Sequence, residues 1–351
     1  MNEPTPHHPI DRPIHRPIDR RTFLTRAAGT AAVVLGASAV GWRLGHPHRP
    51  PPFDGRVFGP PGVATVAVLR AAFYDEGLEA TVLDGLRQIG ADVHGARVLL
   101  KPNMVEYDPG SAINTDPRLV AAAVTAMRRL GAASVTVGEG PGHRRDTGYV
   151  VNASGLAERL RDVGAPFVDL NTAAASLRHT NSSYTGLGEL WLPQAVTDAD
   201  VVVSMPKMKT HHWVGVTLSL KNLFGTVPGR VYGWPKNALH WASIEGSILD
   251  IAGTVRPRYQ IVDGIVGMEG NGPIDGVSKP VGLLVFGDDP VATDVTAATI
   301  MGMDPERVPY LQEAGRFLGQ PDPARIRQVG EEPSSVITPF APAPGFEGLR
   351  A

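Results

Sequence analysis

The chain contains no cysteine. That excludes disulfides, thiolate zinc sites, cysteine-ligated iron–sulfur clusters and a cysteine nucleophile, so any metal must take its donors from His, Asp, Glu or backbone oxygen. Excess charge of one sign is missing as well. The 33 Lys and Arg nearly balance the 35 Asp and Glu, and a net charge of -2 argues against a nucleic-acid-binding protein. There is no Gly-x-Ser-x-Gly elbow, no His-Glu-x-x-His and no internal repeat. The Gly-rich turn at 138–142 lacks the spacing of a dinucleotide fingerprint or a P-loop, and it reads as a plain turn or a backbone anion nest. Glycine and proline are abundant, 40 and 32 in 351 residues, which implies many tight turns and long loops.

The first residues do not belong to the fold. Residues 1–20 are rich in His, Pro, Arg and Asp and cannot bury a core. Asp19-Arg20-Arg21-Thr22-Phe23-Leu24, followed by the weakly apolar run Ala27 to Trp42, has the pattern of a bacterial twin-arginine export signal. The expected partner is the twin-arginine export machinery, and the expected location is beyond the cytoplasmic membrane, in periplasm, cell wall or medium. Ala37-Ser38-Ala39 offers small residues for cleavage. If uncut, the run is short for a membrane span and would be a marginal N-terminal anchor. Proteins exported this way travel folded, which is compatible with a cofactor loaded beforehand. Residues 46–62 are a Pro-rich, extended linker.

From residue 63 the pattern alternates. Apolar strands are expected at Val63 to Leu69, Arg97 to Leu100, Ser134 to Val137, Phe167 to Leu170, Val201 to Met205, Tyr259 to Val262, Val281 to Phe286 and near Ile326 to Val329. Helical spacing fills the gaps at Glu76 to Ile89, Asp116 to Leu130, Tyr149 to Val163, Leu239 to Ala252, Pro290 to Ile300 and Glu306 to Phe317. This is an α/β domain over 63–332, with a mostly parallel sheet, helices on both faces and long loops at the strand ends. Residues 333–351 read as an irregular tail, and 222–235 as a long functional loop.

The chemistry gathers at the strand ends, where open α/β sheets bind ligands. Around the central strand Val201 to Met205, Pro206 stops the strand and Lys207, Lys209 and His211 come at once after it. Lys101 and Asn103, then His143 and Arg144, then Lys221 and Asn222 complete a cationic and polar rim suited to a small anionic molecule. Lys207 and Lys209 are the residues to hold or deprotonate it, with His211 as acid or base. Glu139, Asp263, Glu269 and Asp289, on the same inferred rim, form a tentative oxygen-donor set for a divalent metal. Asp289 before Pro290 fits a helix cap equally. Asp294 reads as a solvated or paired carboxylate, and His240 and Trp241 as helix packing residues.

Several segments together carry a family resemblance. They are Lys101-Pro102-Asn103, Thr115-Asp116-Pro117, Gly138-Glu139-Gly140-Pro141, Pro206 to His211, Leu220-Lys221-Asn222-Leu223-Phe224-Gly225, Asp263 to Glu269 and Asp289 to Asp294. From about Val63 to Gly302 the chain resembles the uncharacterised bacterial and archaeal family numbered 362 among the domains of unknown function. Many members of that family carry cysteine-rich iron–sulfur modules, which implies redox work; this chain departs from them in having no cysteine. Gly142-His143-Arg144 with the later lysine-rich segment also has a fainter similarity to the nickel-pincer lactate racemase group. The readings that stand are an exported enzyme acting on a small anion, a non-catalytic metal or anion carrier, and a redox-associated protein disfavoured by the missing cysteines.

Overall fold

A computed structural model describes residues 52–59, 61–142 and 146–351. The twin-arginine segment, together with His143 and Arg144, lies outside the described residues.

The chain builds one large mixed sheet. Its strands are β1 (Ala64–Arg70), β2 (Arg97–Pro102), β3 (Ser134–Glu139), β4 (Phe167–Asp169), β7 (Val201–Met205), β8 (Lys207–His211), β9 (Gly215–Thr217), β10 (Tyr259–Asn271), β11 (Asp275–Gly287) and β12 (Ile326–Gly330). The order across the sheet is β12-β1-β11-β10-β7-β2-β3-β4, with β8 paired to β10 and β9. A separate hairpin joins β5 (Ala175–His179) and β6 (Glu189–Pro193). The pairs β2/β3, β3/β4, β2/β7, β7/β10, β8/β10 and β1/β12 are parallel, whereas β11 runs antiparallel to both β1 and β10.

Helices cover both faces, and the strands show why. Along β1, Val66 and Val68 enter one core and Ala67 the other; along β11, Leu283 and Val285 part from Leu284 and Phe286 in the same way. A strand buried on both sides has a period-2 pattern that is apolar throughout, which is the continuous run visible in the sequence. α1 (Leu78–Gln88), α2 (Pro117–Arg129), α3 (Thr147–Ala153) and α4 (Leu156–Asp162) pack on one face. α5 (Asn237–Val255), α6 (Pro290–Ile300) and α7 (Pro309–Ala314) cover the other. Caps fix their starts. Asp116 accepts from Arg118 N ahead of Pro117, and Asp289 accepts from Val291 N and Ala292 N ahead of Pro290.

Four expectations change. Pro206 interrupts the chain without ending the pairing, because Lys207–His211 is itself a strand. The strand expected at Tyr259 to Val262 runs on to Asn271 as one arm of a long β10–β11 hairpin. The expected tail is packed, with Phe340 and Leu349 buried in the core. Within the expected linker, Phe53 stacks on Phe317 at 4.5 Å between ring centroids, and Phe58 meets the same ring edge-on at 4.9 Å. Among the described residues no helix is long and apolar enough to cross a membrane.

Candidate functional site

The carboxyl ends of β2 and β3, the strand β8, and the chain from Ser219 to His240 close around a cavity of about 150 Å³. Alternation along β8 sends Met208 into the core and Lys209 and His211 to the cavity. The helical turn Ser219–Asn222 brings Lys221 and Asn222. Asp294 of α6, fully buried, holds that turn by accepting from Ser219 N at 2.7 Å and Leu220 N at 3.0 Å. The next turn, Leu223–Thr226, supplies Phe224 and Gly225, and the entry to α5 supplies Lys236 and His240.

Four lysines therefore line one small cavity: Lys101, Lys209, Lys221 and Lys236. Glu139 is the only carboxylate among the described lining residues, and it is already taken. It pairs with Lys101 in a very short ion pair, and accepts from Met104 N at 3.0 Å and Gly140 N at 2.8 Å. Lys101 also donates to Asn222 Oδ1 at 2.9 Å and to Pro102 O. Gly225 exists for this pair, because a Cβ there would strike both Glu139 Oε1 and Lys101 Nζ.

The other three lysines have no carboxylate partner among the described residues. Lys209 donates to Ile113 O at 2.8 Å and Pro273 O at 3.3 Å. Lys236 donates to Gly140 O at 2.8 Å and Phe224 O at 3.0 Å. Each ammonium thus has one of its three protons left over. Lys221, half-buried, has only a ring face, with its Nζ 4.4 Å from the Phe224 centroid. Burial is the main reason their pKa values fall, and the neighbouring ammoniums add to it. Lys209 falls well below 10.5 through burial and then through Lys221 and Lys207. Lys221 falls to about 8 through burial and then Lys101, and Lys236 falls to about 7 through burial with further push from Lys101 and Lys221.

The histidines are sorted by their hydrogen bonds. His211 Nδ1 accepts from Trp213 N at 3.1 Å, so a neutral ring carries its proton on Nε2 and can donate. Burial and the Lys221 charge hold His211 well below its usual 6.5. His240 Nδ1 lies 3.1 Å from Lys236 O, and His212 Nδ1 lies 2.8 Å from Gly272 O. A carbonyl only accepts, so both rings are protonated at Nδ1, and a neutral ring there has its lone pair on Nε2. His240 is lowered chiefly by burial, and it is wedged between Trp213 and Phe224 at 4.9 and 5.1 Å. Two buried polar atoms of the lining, Asn103 Oδ1 and Thr217 Oγ1, have no partner among the described residues.

Of the residues expected at the rim, Lys101, Asn103, Glu139, Lys209, His211, Lys221 and Asn222 come together. Lys207 does not. It is buried away from the cavity, 2.9 Å from both Asp263 Oδ2 and Tyr74 Oη, and Tyr74 donates to Asp263 Oδ1 at 2.7 Å. The tentative metal set also disperses. Asp263 is consumed by this network and by Asp116 N, Glu269 binds Lys279 at 3.1 Å and Ala341 N, and Asp289 caps α6. The reason for Asp289 is topological: β11 is antiparallel, so its end lies at the opposite edge from those of β2 and β3. Among the described residues no three His, Asp or Glu side chains converge as metal ligands.

Residues 98–299 match the family described as "Domain of unknown function (DUF362)". A thylakoid-associated protein of Synechocystis sp. (strain ATCC 27184 / PCC 6803 / Kazusa) is 32% identical over 275 residues, covering 75% of this chain and 83% of that protein. The chain belongs to the DUF362 family. A crystal structure of a Thermotoga maritima protein is similar over 57% of this chain, with 12% identity and a TM-score of 0.36, a likeness that carries no argument. The chain spans about half of that protein, 52%.

Sequence reasoning missed Lys236 and His240 in this DUF362 site, whereas His212 follows His211 directly in the basic segment after Pro206. Lys236 lies in a Gly- and Pro-rich stretch without periodicity, in a left-handed conformation at φ 69°. His240 reads in sequence as a packing residue beside Trp241, yet it lines the cavity while Trp241 is 83% exposed.

Proposed function

We propose that the protein is an enzyme that binds a small organic carboxylate in this cavity and moves a proton on the carbon beside the carboxylate. One observation carries the reading. Three buried or half-buried lysines surround a small cavity without any carboxylate of their own. Such a cluster is costly when empty and is neutralised by an anionic ligand. The spare protons of Lys209 and Lys236 hold the carboxylate. His211 Nε2–H donates to the oxygen on which charge develops, and His240 Nε2 accepts the carbon-bound proton. Volume limits the ligand to a few heavy atoms.

The test is deuterium exchange from D2O into the carbon-bound protons of a panel of two- to five-carbon carboxylates, read by proton NMR. Exchange that is abolished by His240→Gln supports the enzyme. Binding without exchange would leave a carrier, and the absence of both would end the reading. We propose in addition that the chain is exported through its Arg20-Arg21 signal. The missing cysteines still count against a redox role.

A further inference from the structure

Among the described residues, Lys221 is the one lysine of the cavity whose amine has no hydrogen-bond acceptor. Lys101 is held by Glu139, Asn222 and Pro102 O, and Lys209 and Lys236 are each held by two carbonyls. Lys221 meets only the face of Phe224. After burial, its charge adds to the lowering of Lys209, His211, Lys236 and His240. Its backbone is fixed by the buried carboxylate of Asp294 through Ser219 and Leu220. A lysine that only had to bind an anion would need no such isolation from acceptors, since Lys209 and Lys236 already supply ammonium protons. An unbonded amine among cations, against an aromatic wall, is the environment of a nucleophilic lysine.

We infer that Lys221 is a covalent nucleophile, and that the cavity takes a small 2-oxo carboxylate whose carbonyl carbon becomes bonded to Lys221 Nζ. This rests on the carboxylate-binding reading above. The lone pair of the neutral amine forms the N–C bond while the carbonyl π pair moves to oxygen, which accepts a hydrogen bond from His211 Nε2–H and takes one of the two nitrogen protons. The nitrogen lone pair then forms C=N as the C–O bond breaks, and the oxygen leaves as water with the second nitrogen proton. The net change is amine plus carbonyl to imine plus one water, with no oxidant or reductant. The imine then draws electrons from the adjacent carbon, whose proton His240 Nε2 is placed to accept. Burial and Lys101 lower the Lys221 pKa to about 8, which gives a useful neutral fraction near neutrality.

The experiment uses the full chain, pyruvate and sodium borohydride, with intact mass and peptide mapping. The expected result is one reduced pyruvyl group per chain, mapped to Lys221, with trapping lost in Lys221→Arg while that variant keeps its melting temperature. Thermal shift by pyruvate is measured in parallel. A pyruvate-dependent shift without any trapped adduct would overturn the covalent role and leave carboxylate binding standing. An adduct on Lys209 or Lys236, or one persisting in Lys221→Arg, would also overturn it. No shift and no adduct would sink both.

Discussion

Lys236 ties the cavity to measurable stability. Its side chain is 2% exposed, and burial is the chief cause that takes its pKa from 10.5 to about 7. Between those two values the unfolded chain holds the proton and the folded chain does not, so folding stability rises with pH through that window. The destabilising contribution is fully present below about 7 and is gone above 10.5. At ~1.36 kcal/mol per pKa unit, the change between about pH 6 and about pH 9 is about 2.7 kcal/mol in favour of the folded state. Lys236→Met removes this titration and leaves the other groups titrating in both proteins. Gly140 O and Phe224 O lose a donor in the variant, but that cost does not depend on pH. Urea unfolding of both proteins at the two pH values isolates the effect as a double difference. Wild type should gain about 2.7 kcal/mol over the variant on going to the higher pH. Parallel pH profiles would refute the reasoning, because they would place the Lys236 titration in the folded chain near its ordinary range.

Asp263→Asn leaves the Lys207 ammonium buried against a neutral amide and should cost about 3–5 kcal/mol in chemical denaturation. Carboxylate binding by the folded fraction should survive, since Lys207 lies outside the cavity; loss of binding in a folded variant would return Lys207 to the site. Gly225→Ala pushes a methyl into the Lys101–Glu139 pair. It should lower stability by about 1–3 kcal/mol and weaken ligand binding, and unchanged melting and binding would contradict the packing described. Arg20→Lys with Arg21→Lys should leave the full-length precursor in the cytoplasm in a fractionation experiment, and normal export of that variant would remove the signal assignment.

The strands of the sheet were legible because they are buried on both faces and read as uninterrupted Val-, Leu- and Ile-rich runs bounded by turn residues. Val201–Met205 and Pro290–Ile300 match the expected limits. The strand directly after Pro206 was not legible. Lys207-Met208-Lys209-Thr210-His211 has the composition of a polar turn, and only pairing with β10 and β9 makes it a strand. The direction of β11 was equally hidden, since an apolar run looks the same in either orientation, and that hid the true position of Asp289. The cationic character of the site was readable from Lys101, Lys209 and Lys221 behind strand ends. Lys236 was not, because a loop without period gives no hint of which side chain turns inward. The carboxylates were misread as metal donors because sequence does not show which of them already serve caps and ion pairs.

Isothermal titration of pyruvate, acetate and malonate at about pH 8, in two buffers of different ionisation enthalpy, tests the central claim most directly. Binding should be accompanied by proton uptake, because an anion restores the ammonium form of Lys236, whose pKa falls to about 7. Affinity should then fall as pH rises above that value, and Lys209→Met with Lys236→Met should abolish it. No binding of any of the three, or binding without proton uptake and indifferent to those substitutions, would contradict the account.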